Sequence, residues 1–116
     1  MTKMMTRLTL MVVLVTGLAV GAMAQVRGGR YRVLPRDTDR FSVVFQGGQI
    51  ATVVVKGDGD TDLDLYILDE YGNKITEDSD YSDECLARFT PRWTGRFTIV
   101  IVNRGYVYNE YVLAMR

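Results

Sequence analysis

The sequence predicts an all-β domain, a small jelly-roll-like β-sandwich of about seven to eight antiparallel strands. From Phe41 onward, apolar residues recur at every second position in short runs, the period of a half-buried strand. Clusters of Gly, Pro, Asn and Asp separate these runs, and no stretch of a dozen residues carries a helical stripe. Val, Ile, Tyr, Phe and Thr dominate the runs, the residue types that suit a pleated surface.

Residues 1–24 read as an export leader. Lys3 and Arg7 precede an uncharged apolar run, residues 8–20, and Ala22-Met23-Ala24 offers a small-residue cleavage site before Gln25. The run is shorter than the roughly 20 residues a membrane span needs, so cleavage is expected rather than anchoring. The mature chain is then expected to be exported, periplasmic or secreted, without membrane insertion. Residues 25–40 carry five Arg and the pair Gly28-Gly29, which predicts a flexible basic lead-in with one short strand at 31–34.

The domain proper is expected over 41–116. FSVVFQ, Gly47-Gly48 and QIATVVVK read as a hairpin, with Ala51, Val53 and Val55 toward the core. TDLDLYILD alternates, placing Leu63, Leu65 and Ile67 inside and Asp62, Asp64 and Tyr66 outside. EYGN is a turn, a short KIT segment follows, and EDSDYSDE is a surface loop. CLARFT alternates again and puts Cys85 on the Ala87 and Phe89 side, where a buried, inert thiol is the expected state. RFTIVIV is apolar on both faces, as a central strand should be, and VYNEYVLAM closes the sheet.

Composition removes several function classes. The mature chain holds 12 Lys and Arg against 14 Asp and Glu, a net charge of −2, which lacks the basic footprint of a nucleic-acid binder. His is absent, removing the usual general base and the commonest metal ligand. One Cys makes neither an internal disulfide nor a thiolate zinc site. Ser42, Ser79 and Ser82 stand in no nucleophile-elbow context, so no enzyme is expected.

The strongest chemical signal is GDGDTDLD, with Asp58, Asp60, Asp62 and Asp64 at alternate positions. Residues 58–84 hold eleven acids and one base, Lys74. Hard oxygen ligands at this density suit calcium, with Asp58, Asp60 and Asp62 as candidate ligands. Same-face carboxylates on a strand stand about 6.6 Å apart, so convergence needs a bend, which Gly57 and Gly59 offer. The other reading is a solvated turn and an exposed face paired with Arg88, Arg96 or Arg104. Tyr106 and Tyr108, near the last hairpin, and Tyr66, on the aspartate face, are the candidate binding aromatics.

The stretch FQGGQIATVVVKGDGDTDLDLYILDEYGN, residues 45–73, resembles the bacterial pre-peptidase C-terminal domain, with its D-L-D-L-Y strand and D-x-x-G-N turn. The likeness continues through ARFTPRWTGRFTIVIVN and the closing YVLAM. The resemblance implies a jelly-roll sandwich of the kind appended to secreted proteases. It also implies accessory or polymer binding, and calcium in some members. The function expected is therefore a non-catalytic exported module recognising an envelope or extracellular polymer or a secreted enzyme partner. The alternative is a calcium-stabilised structural or assembly module.

Overall fold

The computed structural model describes residues 27–116; the expected leader at 1–24 and the first two residues of the basic segment lie outside them. Eight strands follow one another: β1 (Arg27–Val33), β2 (Thr38–Phe45), β3 (Ala51–Lys56), β4 (Leu63–Leu68), β5 (Lys74–Asp78), β6 (Glu84–Phe89), β7 (Gly95–Asn103) and β8 (Asn109–Met115). They form two four-stranded sheets, ordered β1-β8-β3-β6 and β2-β7-β4-β5, with every pairing antiparallel. The ladders β1·β8, β2·β7, β3·β6 and β4·β5 are those of one long hairpin bent back at the β4–β5 turn. Pairing β3 to β8 and β4 to β7 rolls that hairpin into a sandwich, the jelly roll the sequence predicts.

The core lies between the sheets and follows the period of two. Val53, Val55, Leu63, Leu65, Ile67, Ile99 and Ile101 have lost all contact with water, and Phe41, Val43, Phe45, Phe97 and Leu113 nearly all. Each buried side chain of this size stabilises by about 1.5–3 kcal/mol. β7 lies between β2 and β4, and Val100 on its outer side is buried too, which accounts for its apolar character on both faces. One acid takes a core-facing position: Asp39 accepts the Tyr111 hydroxyl at 2.6 Å, a polar link between the two sheets. Cys85 is buried as expected, donates to the Leu63 carbonyl at 3.2 Å, and burial with nearby Asp78 and Asp80 pushes its thiol up to about 12. Such a thiol stays protonated and inert.

Three expectations are corrected. Residues 27–40 are not a lead-in: Arg27–Val33 pairs residue by residue with β8, and β2 begins at Thr38. β1 is an edge strand, where outward Arg30 and Arg32 discourage further pairing, and its two glycines hide the strand period. Second, Gly47-Gly48 does not close a hairpin, because β2 and β3 belong to different sheets. Gly47 is needed for close approach: a Cβ there would stand 2.7–2.8 Å from the backbone of Trp93 and Thr94. Third, the KIT strand runs on through Asp78, while Val107 and Tyr108 stay outside the closing strand.

Antiparallel order sends four connections to one end of the sandwich: 34–37, 57–62, 79–83 and 104–108. Each crosses between sheets, so strand order lays them in a row: β1–β2, β7–β8, β3–β4, β5–β6. Backbone hydrogen bonds tie each to the next. Arg36 N–H donates to Gly105 O, Arg104 N–H to Asp62 O, and Gly57 N–H to Asp83 O.

Candidate binding site at the four-loop end

The row divides into an acidic half and an arginine–tyrosine half. In the acidic half the aspartate ladder adjoins the second acidic loop, an adjacency that sequence alone leaves open. Repulsion between them is met largely by N–H groups. Asp58 accepts the Asp60 amide at 3.0 Å and the Glu110 amide at 2.8 Å, one on each oxygen. Asp83 Oδ2 accepts the Gly59 amide at 2.6 Å and Asn109 Nδ2 at 3.1 Å. Asp62 and Asp64 fare differently, since each keeps one buried oxygen without a hydrogen-bond partner. Burial, reinforced by Asp64 and Asp80, raises the Asp62 carboxyl above the ordinary range.

Asp64 is not on a solvated face: it is 5% exposed. Its other oxygen accepts Arg104 Nε at 2.7 Å and the Tyr66 hydroxyl at 3.3 Å, and Arg104 Nη2 donates to that hydroxyl at 3.1 Å. The hydrogen bonds to Asp64 and Tyr66 raise the Arg104 guanidinium further. Tyr66 is thus bound into a triad on the outer side of β4. Arg104 joins the two halves.

The arginine–tyrosine half is built on a strained turn. Asp37 N–H donates to Leu34 O at 3.1 Å around Pro35-Arg36, a geometry that prefers Gly or Asn at its third position. Arg36 stands there with φ 57°, the sole non-glycine residue with positive φ among the described residues. Holding it there costs on the order of 1 kcal/mol. Arg36 also donates to the Arg104 carbonyl, and its guanidinium lies 5.2 Å over the Tyr106 ring. Arg32 lies 4.3 Å over Tyr108 and pairs with Glu110 at 2.6 Å. Tyr106 is nevertheless 82% exposed and Tyr108 44%, beside exposed Leu34 and Val107.

The structure therefore places Tyr106 and Tyr108 together and Tyr66 apart from them. Asp58 and Asp60 sit in the exposed loop and the half-buried Asp62 at its root. Among the described residues no three His, Cys, Asp or Glu side chains are gathered into a group able to hold a metal ion. Sequence reading missed two residues that organise the site, Asn103 and Asn109, both buried. Asn103 Nδ2 donates to Leu34 O at 3.1 Å and Val107 O at 2.9 Å, while its Oδ1 accepts the Gly105 amide. Besides Asp83, Asn109 Nδ2 donates to Thr61 O and Oγ1, and its Oδ1 accepts the Asp58 amide. The pair brackets the last loop, one serving each half. The only trace in sequence is an Asn at each end of NRGYVYN.

No family's sequence pattern matches the chain, and no curated protein does. Solved structures do. The pre-peptidase C-terminal domain of collagenase from Bacillus anthracis aligns with a TM-score of 0.66 at 11% identity, over 81% of this chain and 90% of that one. The Yersinia pseudotuberculosis-derived mitogen gives 0.65 at 12%, over 80% and 86%. PliG of Aeromonas hydrophila, a periplasmic inhibitor of g-type lysozyme, gives 0.59 at 15%, over 82% and 88%. At such identities the likeness is one of fold, and the chain is a two-sheet β-sandwich built as the pre-peptidase C-terminal domain is.

Proposed function

We propose that this chain is an exported, non-catalytic binding protein that holds a secreted enzyme partner against its four-loop end. The observation that carries the reading is the fixing of Tyr106 and Tyr108 in the open. Two rings stay exposed while buried Asn103, the Arg36 turn and two arginine stacks hold their loop in place. Side chains ordered before binding lose little freedom on contact, and tyrosine is among the residues that dominate interfaces. Asp58, Asp60, Asp62, Asp80 and Asp83 outweigh Arg36 and Arg104 along the row, so the partner presents a basic surface. Two of the similar structures, a collagenase's terminal domain and a lysozyme inhibitor, are named for a place beside an enzyme, which supports this choice over an envelope polymer.

The test is differential capture from the exported fraction of the producing cell. Wild type should retain proteins that Tyr106→Ala/Tyr108→Ala loses and that about 0.5 M salt releases, where screening is within a few ångströms. Tyr71→Ala, at the other end, should retain them. Identical capture by all three would sink the reading.

A second reading, a calcium-stabilised module, draws support from the buried, unbonded oxygens of Asp62 and Asp64. A cation there would relieve both. Under that reading Asp62→Asn destabilises the protein in calcium; under the first it does not.

A further inference from the structure

The opposite end carries an exposed aromatic group that the proposed function does not use. The 46–50, 69–73 and 90–94 connections bring Ile50, Tyr71 and Trp93 to the surface, 62, 74 and 40% exposed. The Tyr71 and Trp93 rings stand 6.3 Å apart, edge toward face at 60°. The backbone that carries each ring is fixed from behind. Asp69, buried, accepts the Tyr71 amide at 2.8 Å and the Asn73 amide at 2.9 Å on one oxygen, and Asn73 Nδ2 at 3.1 Å on the other. The Trp93 backbone is backed by the 46–50 loop, through Gly48 N–H to Pro91 O at 2.8 Å and Gly47 N–H to Thr94 Oγ1 at 2.9 Å.

Trp93 also lies against Gly95 together with a carboxylate. A Cβ on Gly95 would stand 3.1 and 3.2 Å from Trp93 Cδ1 and Nε1 and 2.9 Å from Glu70 Oε1. The indole edge and the Glu70 carboxylate therefore share one small patch.

We propose that Trp93, Tyr71 and Glu70 form a carbohydrate-binding site that takes a neutral pyranose of a glycan chain. A sugar ring offers weakly positive C–H groups to the negative face of an aromatic ring and hydroxyls around its rim. Here the rings supply the faces. Glu70 accepts a hydroxyl as a charge-assisted acceptor. A lipid surface is a poorer match, because the apolar patch is confined to Ile50 and two rings amid polar groups. Loops whose backbone is already held by Asp69 and the 46–50 segment lose little freedom on binding. This site stands apart from the enzyme-docking end and survives or fails without it.

Trp93 is the only tryptophan, so its emission reads this site alone. The mature chain is titrated with soluble hexamers of N-acetylglucosamine, glucose and xylose. At least one should change the emission saturably with a Kd below about 1 mM. Tyr71→Ala should weaken that response tenfold or more with the fold intact by circular dichroism, while Tyr106→Ala leaves it unchanged. No saturable response to any hexamer up to about 10 mM overturns the site, as does a response that Tyr71→Ala leaves intact.

Discussion

The two ends of the sandwich treat an aspartate drawn in from the surface in opposite ways. At the Trp93 end burial alone would raise the Asp69 carboxyl. The amide and side chain of Asn73 and the amides of Tyr71 and Gly72 outweigh that and hold it below the ordinary range. At the four-loop end Asp62 has a buried oxygen with no donor, and burial beside Asp64, Asp80 and Asp83 pushes it the other way. One end is closed by local hydrogen bonds; the other carries uncompensated charge. That charge is what a structural turn avoids and what a docking surface for a basic partner uses.

Removing the groups that hold each end sharpens the contrast. Asn109→Ala should have the largest effect, because removing this buried side chain strips part-buried groups of Thr61, Asp83 and Asp58 of a partner at once. The expected loss is about 3 kcal/mol, read as a melting temperature more than about 10 °C lower. Asp69→Asn should come next, with a lower melting temperature at neutral pH. Its folded pKa is depressed, so its contribution is present above the unfolded carboxylate pKa and is lost as pH falls through the folded value. The gap between wild type and variant should therefore close in acid, below about pH 4.

Asp62→Asn should act with the opposite sign and less strongly. A raised carboxyl binds its proton more tightly in the folded chain, so stability falls as pH rises through the folded pKa. The variant should melt slightly higher than wild type at neutral pH, and the difference should vanish in acid. Smallest of all is Tyr106→Ala/Tyr108→Ala, expected to stay within about 1 kcal/mol of wild type while losing the partner. A large destabilisation there would mean that the rings hold the loop rather than serve it.

The core was legible because strand burial repeats with a period of two: Ala51, Val53 and Val55, then Leu63, Leu65 and Ile67, all face inward as read. The Asp69 turn was legible because its partners lie within four residues. The four-loop end was legible only as a list of acids and tyrosines. Asn109 bonds Thr61 and Asp83 across 48 and 26 residues, and Arg104 reaches Asp64 across 40. Nothing in local pattern announces such contacts. The same distance effect misplaced Gly47-Gly48, whose glycine answers to Trp93 and not to its own strand neighbours. It also hid β1, a strand whose partner is the last segment of the chain.

Whether backbone amides and asparagines suffice to hold the acidic loops is best decided by thermal unfolding of residues 25–116 in millimolar calcium and then in excess chelator. Trp93 emission at the far end reports the transition. Equal midpoints are expected if the N–H groups on Asp58 and Asp83 suffice and the remaining charge is kept for a partner. An ion held at 100 times its dissociation constant would add about 2.7 kcal/mol, a rise of roughly 10 °C or more in calcium. Such a rise would contradict that account and make the loops a metal site.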